Sequence, residues 1–269
     1  MSKLLERLTP TQRRGSKPRC HWITHGAKAD VAARLTALIA PFGKVAADDQ
    51  WMPEGFEHVE EAELHKATKL LGPAEREEIK RWWFAVSRGS QTAPSFDIAG
   101  TCTVNGANRK GIFLVEAKAH FEEVQKEFEG KRLGANPTEG QLRNHQNIGN
   151  IMADTNSALA AQTGLPWRLS HTNCYQISNR FASAYKLTTL GVPVILVYLG
   201  FLNADEMEDR GSPFRSKTEW LSAVIAYSSE VMPHDVWEKP MRLNGQPFIP
   251  CVRAVQMDYK SAVKEFRPE

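Results

Sequence analysis

Cysteine is scarce and scattered. Cys20, Cys102, Cys174 and Cys251 lie far apart and no two form a Cys-x-x-Cys pair, which fits a reducing compartment better than a disulfide framework or a zinc ribbon. Long apolar runs are missing as well. The longest, residues 192–202, is interrupted by Pro193 and Gly200 and falls far short of a bilayer span. No basic start is followed by an apolar signal core, so a cytoplasmic location is expected. Excess charge of one sign is almost absent: 34 Lys and Arg against 31 Asp and Glu leave a formal net charge of +3, too mild to argue nucleic-acid binding by itself. There is no Walker-type glycine loop and no Gly-x-Ser-x-Gly elbow, which argues against a P-loop NTPase and a serine hydrolase. Internal repeats and low-complexity tracts are also lacking.

What remains is an ordinary globular composition, 42% hydrophobic and 24% charged over 269 residues, enough for one large α/β domain. Its most informative stretch is 94–121. Two runs of β-forming residues flank the polar segment Asn105-Gly106-Ala107-Asn108-Arg109-Lys110-Gly111, the pattern of a hairpin. Asp97 opens the first strand; Glu116 and Lys118 close the second. Side chains two apart on a strand share a face. Pairing about the polar turn would bring Asp97 near Glu116, so two carboxylates and an amine converge at one end of a sheet. Two carboxylates suit a hard divalent cation such as Mg²⁺, and a lysine can orient a water or balance developing charge.

Glu-x-Lys occurs three times, and context separates the copies. Glu78-Ile79-Lys80 lies in a helical pattern, where residues two apart diverge. Glu129-Gly130-Lys131 reads as a solvated helix end. Only Glu116-Ala117-Lys118 follows four strand-forming apolar residues and has an aspartate on the preceding strand.

The arrangement of Pro94, Asp97, Glu116 and Lys118 resembles the PD-(D/E)XK, or restriction-endonuclease-like, nuclease superfamily, and the wider sequence resembles bacterial members of it. The likeness extends over about residues 56–202. It implies an α/β fold with a central mixed β-sheet flanked by helices, and Mg²⁺-dependent cleavage of nucleic acid, DNA foremost, with Mn²⁺ as a substitute. Asp97 and Glu116 would be metal ligands, joined by the Ala117 carbonyl, and Lys118 would position the attacking water. Gln176 and Arg180 match in type and order a glutamine and a basic residue near the scissile phosphate. Glu63 is the candidate for a further acidic ligand from a preceding helix. Relatives that cut both strands pair, which implies a homodimer.

Along the chain, residues 1–30 are basic, and a surface-draped terminus is the favoured reading over a phosphate-contacting arm. Residues 29–40 read as a helix stopped by Pro41. Phe56, Val59, Ala67 and Leu70 make a stripe that predicts a helix over 56–71, with Glu63 on it. A helix from Pro73 carries Ile79, Trp82, Trp83 and Val86 up to Gly89, its tryptophans as core, and a loop over 87–94 leads to the Asp97 strand. His120 follows Lys118 on the same strand face. Residues 122–140 read as a surface loop beside the site, and 139–162 as a helix carrying Arg143 and His145 as phosphate-ligand candidates by residue type. Residues 174–190 form an amphipathic helix ending at Gly191, followed by a strand buried on both faces over 192–201. Residues 203–269 read as elaboration packed on the core of one single domain. Rival functions are a catalytically silent scaffold that binds nucleic acid or protein, and a hydrolase of another phosphate ester.

Overall fold

The computed structural model describes residues 3–84, 93–257 and 266–268. It is an α/β fold built on a mixed sheet of eight strands. β1 (Gly43–Lys44) and β2 (Trp51–Met52) are short; β3 (Ala62–Glu63) and β4 (Ser95–Phe96) form a separate small ladder. The hairpin is β5 (Ile98–Val104) and β6 (Lys110–Lys118), antiparallel as the polar turn demands. β7 (Val194–Leu202) runs parallel to β6, and β9 (Gln246–Met257) runs parallel to β7. β8 (Met241–Leu243) and β10 (Phe266–Pro268) cap the outer edge of β9 antiparallel to it, while β1 and β2 cap β5.

A parallel pair needs a crossover, and three helices supply the one from β6 to β7: α4 (Phe121–Glu127), α5 (Glu139–Thr163) and α6 (Tyr175–Thr189). With α3 (Pro73–Trp83) and α7 (Lys217–Ser228) they cover one face of the sheet. The other face is covered by α1 (Ser16–Ile23) and α2 (Lys28–Ile39). Alternation along the central strands divides the core accordingly. Ile112, Leu114, Leu196 and Tyr198 point into the α5–α6 side, and Phe113, Val115, Ala117, Val197 and Leu199 into the α1–α2 side. β7 is buried along its whole length, which explains its unbroken apolar run. Gly200 lets α7 approach closely: a Cβ there would lie 2.5 Å from Trp220 Cγ.

Several expectations are corrected. Residues 56–71 are not helical; they form turns and the two-residue β3, which pairs with β4. The described part of 203–269 is more than elaboration packed on the core: α7 covers a face of the sheet, and β9 enters it as one of its long central strands. Residues 122–127 form α4, leaving only 128–138 irregular. The basic terminus is no loose arm: from Ser16 it is the buried helix α1, and Arg14, Lys17 and Arg19 pair with carboxylates within the protein. Arg19 forks onto the Glu206 carboxylate and donates to the Met257 carbonyl at 3.1 Å, and Arg14 pairs with Asp209. Trp83 is core, as expected. Val86, Gly89 and residues 87–92 of the loop fall outside the described residues. All four cysteines are buried and none is in a disulfide, and among the described residues no helix is long and apolar enough to cross a membrane.

Candidate functional site

The site lies where β6 outruns β5. Their ladder pairs Ile98 with Val115, so the next step sets Asp97 opposite Glu116. The small ladder pairs Ala62 with Phe96, so its next step sets Glu61 opposite Asp97. Three carboxylates from three segments, Glu61, Asp97 and Glu116, thus occupy adjacent register positions. Lys118 shares the Glu116 face of β6, two residues on.

Each acid is held differently. Glu116 is buried (2% exposed), as are Lys118 (8%) and Arg180 (6%). Its Oε1 accepts from Lys118 Nζ at 2.5 Å and from Gln176 Nε2, and its Oε2 accepts from Arg180 Nε at 2.6 Å. Burial by itself would raise the Glu116 carboxyl, but Arg180 and Lys118 outweigh it and hold the group below the ordinary glutamate range. Arg180 is itself fixed, donating to Asn179 Oδ1 at 2.6 Å and lying 4.8 Å from the Phe96 ring centroid. Gln176 and Arg180 stand one turn apart on α6, which is why both reach the same carboxylate.

Asp97 is the opposite case. Its Oδ2 accepts the Ala117 N–H at 2.8 Å. Burial, then the charge of Glu116, push its carboxyl up to about 7. Glu61, which burial would raise, is pulled below the usual range by hydrogen bonds from Lys17 and from Ser95 Oγ at 2.6 Å. In a strand the N–H and C=O of one residue point to the same side, so the Ala117 carbonyl faces the same edge as Asp97.

Asp97, Glu116, Ala117, Lys118, Gln176 and Arg180 are therefore brought together. Glu63 and His120 are not. Glu63 pairs with Lys66 at 3.0 Å. The His120 ring sits between Glu122 at 3.3 Å and Glu123 at 3.8 Å. Arg143 pairs with Glu139 on the surface. The residues that sequence reasoning missed are Glu61, its partner Lys17, and Asn179. No local signal marked Glu61: Pro94-Ser95-Phe96 is not a β-rich run, and its pairing with Ala62–Glu63 is a long-range contact.

Chemically, the donors facing Asp97 are hard oxygens: two carboxylates and a main-chain carbonyl, the set a Mg²⁺ or Mn²⁺ ion prefers. An aspartate pushed toward neutrality by a neighbouring carboxylate is a place where positive charge is stabilising, so the residues fit such an ion. Among the described residues no three acidic, histidine or cysteine side chains are gathered closely enough to hold one by side chains alone. An ion here would need the Ala117 carbonyl as well, and Lys118 and Gln176 would have to release Glu116 Oε1.

The raised Asp97 carboxyl has a consequence in chelator. A folded-state value of about 7 above an unfolded one of about 4 means its contribution is full below about pH 4 and is lost as pH rises through about 7. Buried His21 opposes it. Burial pushes that imidazole down to about 4, so its contribution is full above the unfolded value of about 6.5 and is lost as pH falls through about 4. Subtraction isolates Asp97: relative to wild type, Asp97→Asn should gain on the order of 2–4 kcal/mol between about pH 5 and pH 8. Urea unfolding in EDTA measures this, and a difference that stays flat with pH would show that Asp97 titrates as an open carboxylate.

Protein-family models, curated proteins and solved structures were all compared with the chain, and none matches it.

Proposed function

We propose that the protein is a divalent-metal-dependent nuclease with a restriction-endonuclease-like core, hydrolysing phosphodiester bonds of nucleic acid, DNA in the first instance. The observation that supports this most is the register that aligns Glu61, Asp97 and Glu116, with Lys118 on the Glu116 face at the sheet's edge. Asp97, Glu116 and the Ala117 carbonyl would hold Mg²⁺ or Mn²⁺. When bound, the ion supplies polarisation of the phosphoryl oxygen and acidification of a water. Lys118, released from Glu116, orients that water by its ammonium, while Arg180 and Gln176 face the phosphate from α6. Glu61 keeps Lys17 beside the site and adds negative charge that favours the cation. The four buried thiols suit a reducing compartment, and we place the protein in the cytoplasm. A homodimer would present two such sites to a duplex.

A second reading, a catalytically silent scaffold, rests on one observation: both Glu116 oxygens are already occupied by Lys118, Gln176 and Arg180. Calorimetric titration with Mn²⁺ separates the two. The nuclease binds the ion, and Asp97→Asn loses that binding; the scaffold binds none. Incubation with single- and double-stranded DNA and RNA in Mg²⁺ or Mn²⁺, with Lys118→Ala as control, then identifies the substrate. Absence of metal-dependent cleavage of all four would overturn the nuclease reading.

A further inference from the structure

Beside the carboxylate row, on the rim of α6, lie a lysine and two histidines with no part in the site described so far. Lys131 sits in the irregular stretch between α4 and α5. Its main chain is tied on both sides: its N–H donates to the His171 carbonyl at 2.7 Å, and its own carbonyl is 3.0 Å from His145 Nε2. The His145 and His171 rings meet edge to face, centroids 4.7 Å apart. Gly149 gives His171 room on α5, since a Cβ there would lie 2.9 Å from its Cε1. The Lys131 ammonium lies 5.1 Å from the Tyr175 ring centroid.

No described carboxylate completes this cluster. Burial lowers the Lys131 amine with no acid acting against it, and His171 is lowered first by burial and then by His145. The nearby described acids are turned away, Glu129 to Arg132 at 3.3 Å and Glu230 to Asn173 at 3.2 Å. A half-buried lysine with no acid acting on it, its main chain fastened beside two touching imidazoles, presents N–H donors to an anion without a competing carboxylate. Position says which anion. Tyr175 precedes Gln176, whose amide donates to Glu116, and Asn179 and Arg180 act on the Tyr175 phenol. The cluster therefore adjoins the place where a scissile phosphate would sit. Among the described residues, Phe128 and Leu133 are exposed on this stretch and Leu142 on the first turns of α5, apolar ground suited to unpaired bases.

We propose that Lys131, His145 and His171 form a subsite for a backbone phosphate of a nucleic-acid strand, flanking the phosphate that is cut. Its place along the substrate rests on the nuclease reading; the binding itself does not. The test is fluorescence anisotropy of a fluorescein-labelled oligodeoxythymidylate with the full chain in EDTA, over a range of NaCl concentrations. Lys131→Gln should weaken binding about five- to tenfold and lower the salt slope by about 1, and the His145→Asn/His171→Asn pair should weaken binding about fivefold with little change in slope. Lys131→Arg should retain binding, and Lys28→Gln, on α2 across the sheet, should not alter it. Wild-type protein that fails to bind the oligonucleotide, or a Lys131→Gln protein that binds with unchanged affinity and slope, overturns the subsite. If Lys131→Gln weakens binding but wild type cuts nothing in Mn²⁺, the subsite stands and the nuclease reading falls. If wild type cuts and Lys131→Gln binds normally, the reverse holds.

Discussion

Glu116→Ala should lower the unfolding free energy by about 3–5 kcal/mol, the usual cost of stranding buried charges. Removing this carboxylate leaves the Lys118 ammonium and the Arg180 guanidinium in the interior without their common counter-ion. Gln176 loses its acceptor at the same time. Arg180 cannot easily turn to water, because it is fixed between Asn179 and the Phe96 ring. The loss follows from the missing charge rather than the missing volume. Glu116→Gln, which keeps the shape and an oxygen for Arg180, should therefore cost about half as much. Replacing all three charged residues together, as Glu116→Leu/Lys118→Met/Arg180→Met, should recover most of the stability, since apolar packing can substitute for a buried ion network. Urea midpoints at one pH measure the series. A Glu116→Ala protein as resistant as wild type would mean that water reaches this network freely.

Lys118→Ala should separate activity from stability. Glu116 keeps Arg180 and Gln176 when the ammonium is removed, so the cost in folding should stay within about 1–2 kcal/mol. On the proposed nuclease reading, turnover should fall about 10³-fold or more, because a group orienting an attacking water would act only as the reaction proceeds. The loss belongs in kcat, with KM for the nucleic acid little changed. A merely structural lysine would instead show its effect in the urea midpoint and leave kcat alone. Unchanged turnover by folded Lys118→Ala protein would remove Lys118 from the mechanism, and with it the main support for hydrolysis at this edge.

The residues differ in how readily they could be read from the chain. The register of Asp97 against Glu116 was legible because a polar turn between two β-rich runs leaves little choice of pairing. α6 and β7 were legible for similar reasons: a 3.6-residue stripe ending before Gly191, then an apolar run without alternation. Glu61 was not legible. The spacing of Phe56, Val59, Ala67 and Leu70 suits a helix, yet the chain there turns repeatedly to reach β4. Pairing of Ala62 with Phe96 joins segments on either side of α3, and no local propensity reports it. The N-terminal helix was misread for a related reason, as Arg19 looks like surface charge until Glu206 lies beside it.

By itself the chain determined which side chains could share a face: Glu116 with Lys118 by strand alternation, and Gln176 with Arg180 by the helical turn. Both are consequences of backbone geometry over a few residues. Only the packed molecule decided that those two pairs meet, that Glu61 rather than Glu63 flanks Asp97, and that Asp97 carries the raised carboxyl. Such outcomes depend on how far each charge is removed from water and which opposite charge accompanies it, and the partners come from segments distant in the chain.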